Sequence, residues 1–590
     1  MTQPNKTSRR LRRALLLGGV VVVLLLAFTG YQALKAKTAL EQVAADFETL
    51  TGQLPGGDQA GAESTLASAQ RHAGDAFDNT RGPVWWLSSK LPEVGPNVDA
   101  VRVVAEVADR LASDVLPDVV TAAGTLTPGN LRPVRGRVDL EPIQQIEPAV
   151  VRAATALSAE SREVDDIDTS RLVSQIAAPV SQLQTRIADA DELADRASRA
   201  VRLLPPMLGA DGERSYLFMF QNNAEIRATG GIPGAFAIIT ANDGKVTLGR
   251  QGDAGTVGRF EKPPTPLTDQ ERALFGEDLG RFPQDVNFTP DFPRTAELIA
   301  GMWEARKGQQ VDGVVSTDPV ALSYILNGTG PVETAGGRTL TAEGAVPLLL
   351  SQVYAEIPDP EKQNDFFNAA AGSVFDAVAA GTGEPRIVLD SLSQAASERR
   401  VLIWSARRGE QRLLAPTALA GGLETRATTA PEVGVYFNAA LPYKLDYYLD
   451  YEVSVESTRC QGSRQRLTVK VRMQSRAPRD LASFTDYVAP DVPAYPRGSI
   501  VDTLYFFAPV DGSHVALSVD GQDRGYDVQR LDGRDVFATS VVVEPGKTRS
   551  LTVHLVSGPG QVDEPTLRVT PGVRSDGIGT VGASSCPELG

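Results

Sequence analysis

Residues 216–250, YLFMFQNNAEIRATGGIPGAFAIITANDGKVTLGR, leave the backbone few choices. Two short apolar runs, 216–220 and 235–241, have strand composition. Asn242-Asp243-Gly244 then supplies residues that tolerate a tight turn before the alternating Lys245-Val246-Thr247-Leu248. Between the runs lies a polar elbow, residues 221–231, crowded with side-chain donors and acceptors and ending in Gly230-Gly231, where backbone can approach closely. Such a segment costs stability unless its polar groups find partners. Two readings stand side by side. In one, the elbow satisfies itself and fixes a turn, so that Arg227→Ala strips a buried Glu225 of its partner and costs about 1–3 kcal/mol. In the other it binds an anionic ligand, and the same substitution abolishes binding with little effect on melting temperature.

Three later stretches accompany the elbow: VNFTPDFPRTAELIAGMW (286–303), VDGVVSTDPVALSYILNGTGPV (311–332), and VLIWSARRGEQ followed by VYFNAALPYKLDYYLD (401–411 and 435–450). In this order the four motifs resemble an uncharacterised family of membrane-anchored proteins common in Actinobacteria, the domain of unknown function numbered 4012. The resemblance covers about residues 200–455 and implies no activity.

A chain of 590 residues with 42% apolar side chains is ample for several cores, and roughly three structural parts are expected. Its net charge of −15 argues against a nucleic-acid partner, which would need a basic stripe to track phosphates. The acidity itself reads as solubility.

Lys6, Arg9, Arg10, Arg12 and Arg13 crowd a basic tail at 1–13, and residues 14–34 then run without a charge. That length suffices for a transmembrane helix across a bilayer of about 30 Å, and positive charge stays inside. The expectation is a single-pass cell-membrane protein with a cytoplasmic N-terminus and its bulk outside. A cleaved signal peptide is the rival reading, although no small-x-small site directly follows the run.

Three further domains are expected: a helical stalk or bundle at 35–204, an α/β core domain at 205–442 and a β-sandwich at 443–590. In the first, apolar residues recur at helical spacing (Leu40, Val43, Ala44, Phe47, Leu50), with breaks at Gly56-Gly57, Gly82-Pro83, 92–96 and Thr127-Pro128-Gly129. Trp85-Trp86 belongs to the core or to a membrane interface. In the second, the strand 311–317 precedes Asp318-Pro319, a carboxylate N-cap with proline at the first helical position. Strands then alternate with helices. In the third, short alternating strands (467–473, 502–507, 514–519, 536–543, 550–555) are punctuated by Asp-Gly and Pro-Gly turns. The only two cysteines, Cys460 and Cys586, lie near its two ends. Because export of this domain is expected, they are read as a disulfide, with buried free thiols as the alternative.

Chemistry is sparse. Only His72, His514 and His554 are present, none of them in the core domain, and neither a GxxxxGK(S/T) loop nor a CxxC pair occurs. The ligand-binding candidates are Asn222, Asn223, Glu225, Arg227, Thr229, Asn287, Asp291 and Arg294, with Asp291 and Asp318 as weak candidates for holding Mg²⁺. Each also has a structural role open to it: an N-cap for Asp318, turns for Asn287 and Asp291, an internal pair for Arg227. The order of strand, arginine-bearing elbow, hairpin and VDGVVSTDP helix is similar to the LytR-CpsA-Psr family. Its members are extracytoplasmic, membrane-anchored phosphotransferases that move glycopolymers from polyprenyl-pyrophosphate lipids onto peptidoglycan. That family places an aspartate after the elbow arginine and an arginine cluster after its paired helices. Here Ala228-Thr229 follow Arg227, and 353–367 contains Lys362 as its only cation.

These readings give a multidomain α+β protein: a transmembrane helix, a helical stalk, a LytR-CpsA-Psr-like α/β domain and a C-terminal β-sandwich. The expected function is a non-catalytic binding or assembly module for an envelope glycopolymer, a lipid-linked carrier or a partner protein. The alternative is a Mg²⁺-dependent phosphotransferase that attaches glycopolymers to the cell wall.

Overall fold

The computed structural model of the chain describes residues 6–54, 58–92, 94–125, 132–334, 336–481, 484–574 and 579–586, without the side chains of 6–26 and 360. Residues 1–5 and the breaks expected at Gly56-Gly57 and Thr127-Pro128-Gly129 lie outside the described residues, as do the side chains of Lys6, Arg9, Arg10, Arg12 and Arg13. The chain forms two compact units, Met1–Leu131 with Asp139–Pro206, and Arg132–Val138 with Met207–Gly590.

The first unit is helical. Its long members are Lys6–Gln53, Gln59–Asn79, Gly95–Arg110, Glu141–Asp165 and Ser174–Met207. Alanines at helical spacing (Ala62, Ala69, Ala73, Ala76) are wholly buried, so neighbouring helices approach on small side chains. Arg110 clamps Glu160 at 2.7 Å and Glu106 at 2.9 Å. Trp85 is buried, its indole N–H donating to the Val98 carbonyl at 3.2 Å, whereas Trp86 is exposed.

The transmembrane helix expected at 14–34 is corrected: among the described residues no helix is long and apolar enough to cross a membrane. The helix Lys6–Gln53 runs on unbroken through Lys35, Lys37 and Glu41 into an amphipathic stretch. Thr29, inside the expected span, is buried and hydrogen-bonds Ser88 Oγ at 2.9 Å, so that part of the helix faces protein. The architecture is a mixed α/β multidomain protein, helical at the N-terminal end and β-rich at the C-terminal end.

In the second unit a five-stranded sheet runs in the order β3-β2-β1-β4-β5, with β1 Arg214–Arg227, β2 Gly230–Asn242, β3 Lys245–Asp253, β4 Gly313–Thr317 and β5 Leu402–Ser405. The pair β1·β4 is parallel and the other pairs are antiparallel. Strand β1 does not end where its apolar run ends. It continues through the polar elbow to Arg227, with register shifts between Phe220 and Gln221 and between Asn222 and Ile226. Such bulges re-aim side chains within a strand. The turn itself is only Ala228-Thr229, and a Cβ at Gly231 would collide with the Asn222 backbone, which explains the glycine there. At the β2–β3 hairpin, Asp243 (φ 47°) and Gly244 (φ 75°) both lie in the left-handed region, as an Asp-Gly turn of this kind requires.

The sandwich is built from two sheets. One contains Leu449–Gln461, Arg464–Ser475, Ser513–Val519 and Thr548–Val556; the other contains Glu432–Ala439, Ile500–Phe507, Arg534–Val543 and Thr566–Val569. Leu467, Val469, Val471 and Met473 alternate inward against Phe437, Leu504 and Phe506. Glu432–Ala439 precedes the boundary expected at 442/443 yet belongs to the sandwich, paired with Ile500–Phe507. Tyr436, Phe507 and Val536 share a core with Leu217, Phe236 and Trp303, so the sandwich and the five-stranded region are fused through side-chain packing. Cys460 and Cys586 form a disulfide across 126 positions.

Candidate functional site

The polar elbow lies in the interior, where the end of β1 meets the sandwich. Glu225 is 3% and Arg227 5% exposed. The Arg227 guanidinium reaches the Glu225 carboxylate at 2.9 Å, donates to the Ile226 carbonyl at 3.0 Å, lies 3.6 Å from Asp285 and covers the Phe288 ring. From the sandwich side, Lys444 donates to the other oxygen of Glu225. Burial alone pushes the Glu225 carboxyl up, but the Lys444 and Arg227 charges outweigh it and hold the group below the usual glutamate range. Burial raises Asp285 to about 6 against the pull of Arg227.

Backbone groups of the elbow are claimed from the same side. Asp446 accepts from Ile226 N–H at 2.8 Å, Asn438 accepts from Ala228 N–H at 2.9 Å, and Thr570 donates to the Ala228 carbonyl at 3.1 Å. Asn222 accepts from Ala224 N–H and donates to the Tyr354 hydroxyl. Asn223 donates to Asp318 at 3.0 Å and to the Pro571 carbonyl at 3.3 Å. Thr229 and Asn287 form a small cage with Gln221: Thr229 donates to Gln221 at 3.2 Å, and Asn287 donates to Thr229, Gln221 and the Gly231 carbonyl.

Asp318 caps its helix, Pro319–Thr329, through Ala321 N–H at 2.8 Å, and also receives Arg400 at 2.9 Å. Arg400 in turn donates to the Gly572 carbonyl at 2.8 Å and to Glu398 at 2.6 Å. Asp291 precedes the helix Phe292–Lys307 without capping it. It accepts from Leu423 N–H at 3.0 Å, and burial raises it to about 6. Arg294 is taken by Glu271 at 2.6 Å, Glu297 at 3.1 Å and the Pro266 carbonyl.

The structure therefore gathers Asn223, Glu225, Arg227, Thr229, Asn287 and Asp318 around one junction, while Arg294 pairs elsewhere. Among the described residues no three His, Cys, Asp or Glu side chains are grouped to hold a metal ion. The two weak metal candidates, Asp291 and Asp318, have separate protein partners.

Sequence reasoning did not single out Gln221, Lys444, Asp446, Arg400 or Asn438. A signal was present in VYFNAALPYKLDYYLD, where Asn438, Lys444 and Asp446 interrupt an aromatic, apolar run that has no use for them unless they meet other buried polar groups. A second buried pair adjoins the junction. Asp446 Oδ1 and Asp502 Oδ2 have no hydrogen-bond partner among the described residues, whereas Asp502 Oδ1 accepts from Tyr443 at 2.8 Å. Burial pushes Asp502 up to about 7 and Asp446 well above the ordinary aspartate range, the latter reinforced by the Asp502 charge.

Compared with known proteins, the chain matches no curated sequence. Residues 211–354, from just before β1 through the partner of Asn222, Tyr354, match the family model described as a protein of unknown function (DUF4012), so this part of the chain is similar to a domain of unknown function.

Proposed function

We propose that the chain acts outside the cytoplasm as a non-catalytic binding or assembly module for an envelope glycopolymer, a lipid-linked carrier or a partner protein. One observation carries the reading: the elbow arginine and the aspartate of the VDGVVSTDP helix, which the sequence offers for phosphate and Mg²⁺, are spent on internal partners. Arg227 is committed to Glu225, and Asp318 to Arg400 and Asn223. A phosphotransferase needs its guanidinium and carboxylates turned toward substrate, with positive charge left over for the transferring group. Here that charge is neutralised inside the protein. The Cys460–Cys586 bridge supports an oxidising compartment.

The test is to incubate the purified full chain with a polyprenyl-pyrophosphate-linked glycopolymer, cell-wall fragments and Mg²⁺. Non-covalent, salt-reversible retention of a ligand with no release of polyprenyl phosphate supports the reading. Mg²⁺-dependent release with covalent attachment to the wall overturns it in favour of the phosphotransferase.

A further inference from the structure

The helix Pro385–Ser397 ends in a Schellman arrangement: Arg399 N–H bonds the Ala396 carbonyl at 3.0 Å and Arg400 N–H bonds the Ala395 carbonyl at 2.8 Å. The position between the helix cap and Arg400 is the one where glycine is favoured, because the backbone turns left-handed. Arg399 occupies it with φ 57°. An arginine there carries a conformational cost that a glycine would not, so its side chain is where a reason for it should be sought.

That side chain lines a recess enclosing about 320 Å³ of empty space, counting the part open to solvent. Arg568 and Tyr436 line the same recess, with Leu402, Pro290 and Pro571 as apolar wall. Among the described residues the Arg399 guanidinium has no hydrogen-bond or ion-pair partner, and the Tyr436 hydroxyl makes no hydrogen bond. Arg568 spends Nε on Glu432 and Nη1 on the Gly422 carbonyl, leaving Nη2. The nearby acids are already taken. Glu432 is shared between Arg568 and Arg534, Glu398 between Arg400 and Tyr324, and Asp318 is held by Arg400. Three guanidiniums, Arg399, Arg534 and Arg568, thus stand against one carboxylate, Glu432. Burial, and then the Arg568 charge, lower the pKa of Arg399, which marks a cation kept from water beside another cation.

We propose that this recess binds a phosphate-type oxyanion, held by Arg399, Arg568 and the Tyr436 hydroxyl. Unspent donors on two guanidiniums and a hydroxyl suit a tetrahedral group with several acceptor oxygens better than a planar carboxylate. The recess admits the centre of a water-sized sphere over only about 20 Å³, room for one compact group such as a phosphate and not for a sugar chain or a lipid tail. Ala228 and Thr229 also line the recess, so it adjoins the elbow, but its donors are not those of the Glu225–Arg227 pair and the proposal does not depend on the assembly reading.

The experiment is calorimetric titration of the full chain with inorganic phosphate, with sodium acetate and with sodium chloride at matched ionic strength. Parent protein should bind phosphate above the chloride background and more tightly than acetate. Arg399→Gly should weaken phosphate binding at least tenfold while leaving the melting temperature in chloride unchanged or higher, since glycine suits the left-handed backbone. Arg399→Lys, which keeps the charge but not the fork, should fall between. Equal binding of acetate and phosphate, or an Arg399→Gly protein that binds phosphate as tightly as the parent, overturns the proposal. So does a parent with no binding above chloride. Glycerol phosphate and phosphatidylglycerol vesicles, each tested on parent and Arg399→Gly, then assign the source. Arg399-dependent binding of the first marks a polymer or metabolite phosphate, and of the second a lipid headgroup.

Discussion

Glu225 and Lys444 are separated by 219 positions in the chain and meet as an ion pair in the protein interior, their side chains 4% and 7% exposed. Lys444 lies just beyond the strand Glu432–Ala439 of the sandwich, and Glu225 near the end of β1, so the pair joins the two sheets where the elbow passes between them. A buried pair of this kind adds little net stability compared with well-packed apolar residues, but removing one partner is severe because a charge is left unpaired in a low-dielectric site.

Arg227→Ala is the first consequence. It removes one of two cations from Glu225, takes from Asp285 the cation beside it and empties the space over Phe288. The expected loss is about 3–5 kcal/mol in urea unfolding of the full chain. An unchanged unfolding midpoint would return the elbow to the ligand-binding reading.

Cys460→Ser opens a loop of 126 positions. On the chain-entropy account the sandwich should lose about 4–5 kcal/mol, seen as a lower melting temperature under non-reducing conditions. Reductant should bring the parent protein to the same value, and should leave the variant where it is.

The Asp446–Asp502 pair makes stability depend on pH with a defined sign. Because the folded Asp502 pKa is raised to about 7 from an ordinary value of 3.8, the native state keeps a proton that the unfolded chain releases. Its stabilising contribution is greatest below about pH 4 and is lost as pH rises through 7. The groups facing the pair are Glu225, Arg227, Tyr443 and Tyr451. Asp502→Asn, which mimics the protonated acid, should exceed the parent in stability at pH 8 by on the order of a few kcal/mol. The difference should close near pH 4. A difference that stays constant between pH 4 and 8 contradicts the assignment.

Much of this was legible residue by residue. Asp318-Pro319 announces a capped helix, Asp243-Gly244 a hairpin, the alternation at 467–473 a half-buried strand, and two lone cysteines their bridge. Local chemistry specifies the first three, whereas the bridge, closed across 126 positions, is expected only because the chain has just two cysteines and an oxidising compartment is expected. Three features escaped for physical reasons. Glu432–Ala439 is buried on both faces, so it lacks the alternation that marks a sandwich strand. The end of β1 is bulged, and its polar run therefore looks like a loop. The apolar run at 14–34 has the length of a span, but hydropathy carries no record of a contact such as Thr29 with Ser88. The candidate site was visible as a concentration of polar residues and misleading about purpose. Its partners Lys444, Asp446, Asn438 and Thr570 stand 210 to 342 positions away, and only the folded chain brings them together.

The elbow's charges serve the junction between the five-stranded sheet and the sandwich. A double-mutant cycle on Glu225→Gln and Lys444→Met, read by equilibrium urea unfolding of the full chain, tests it most directly. Each single variant should lose about 3–5 kcal/mol, and the double variant should recover at least about 1.5 kcal/mol relative to their sum. Single variants within about 0.5 kcal/mol of the parent, or strict additivity, would contradict it.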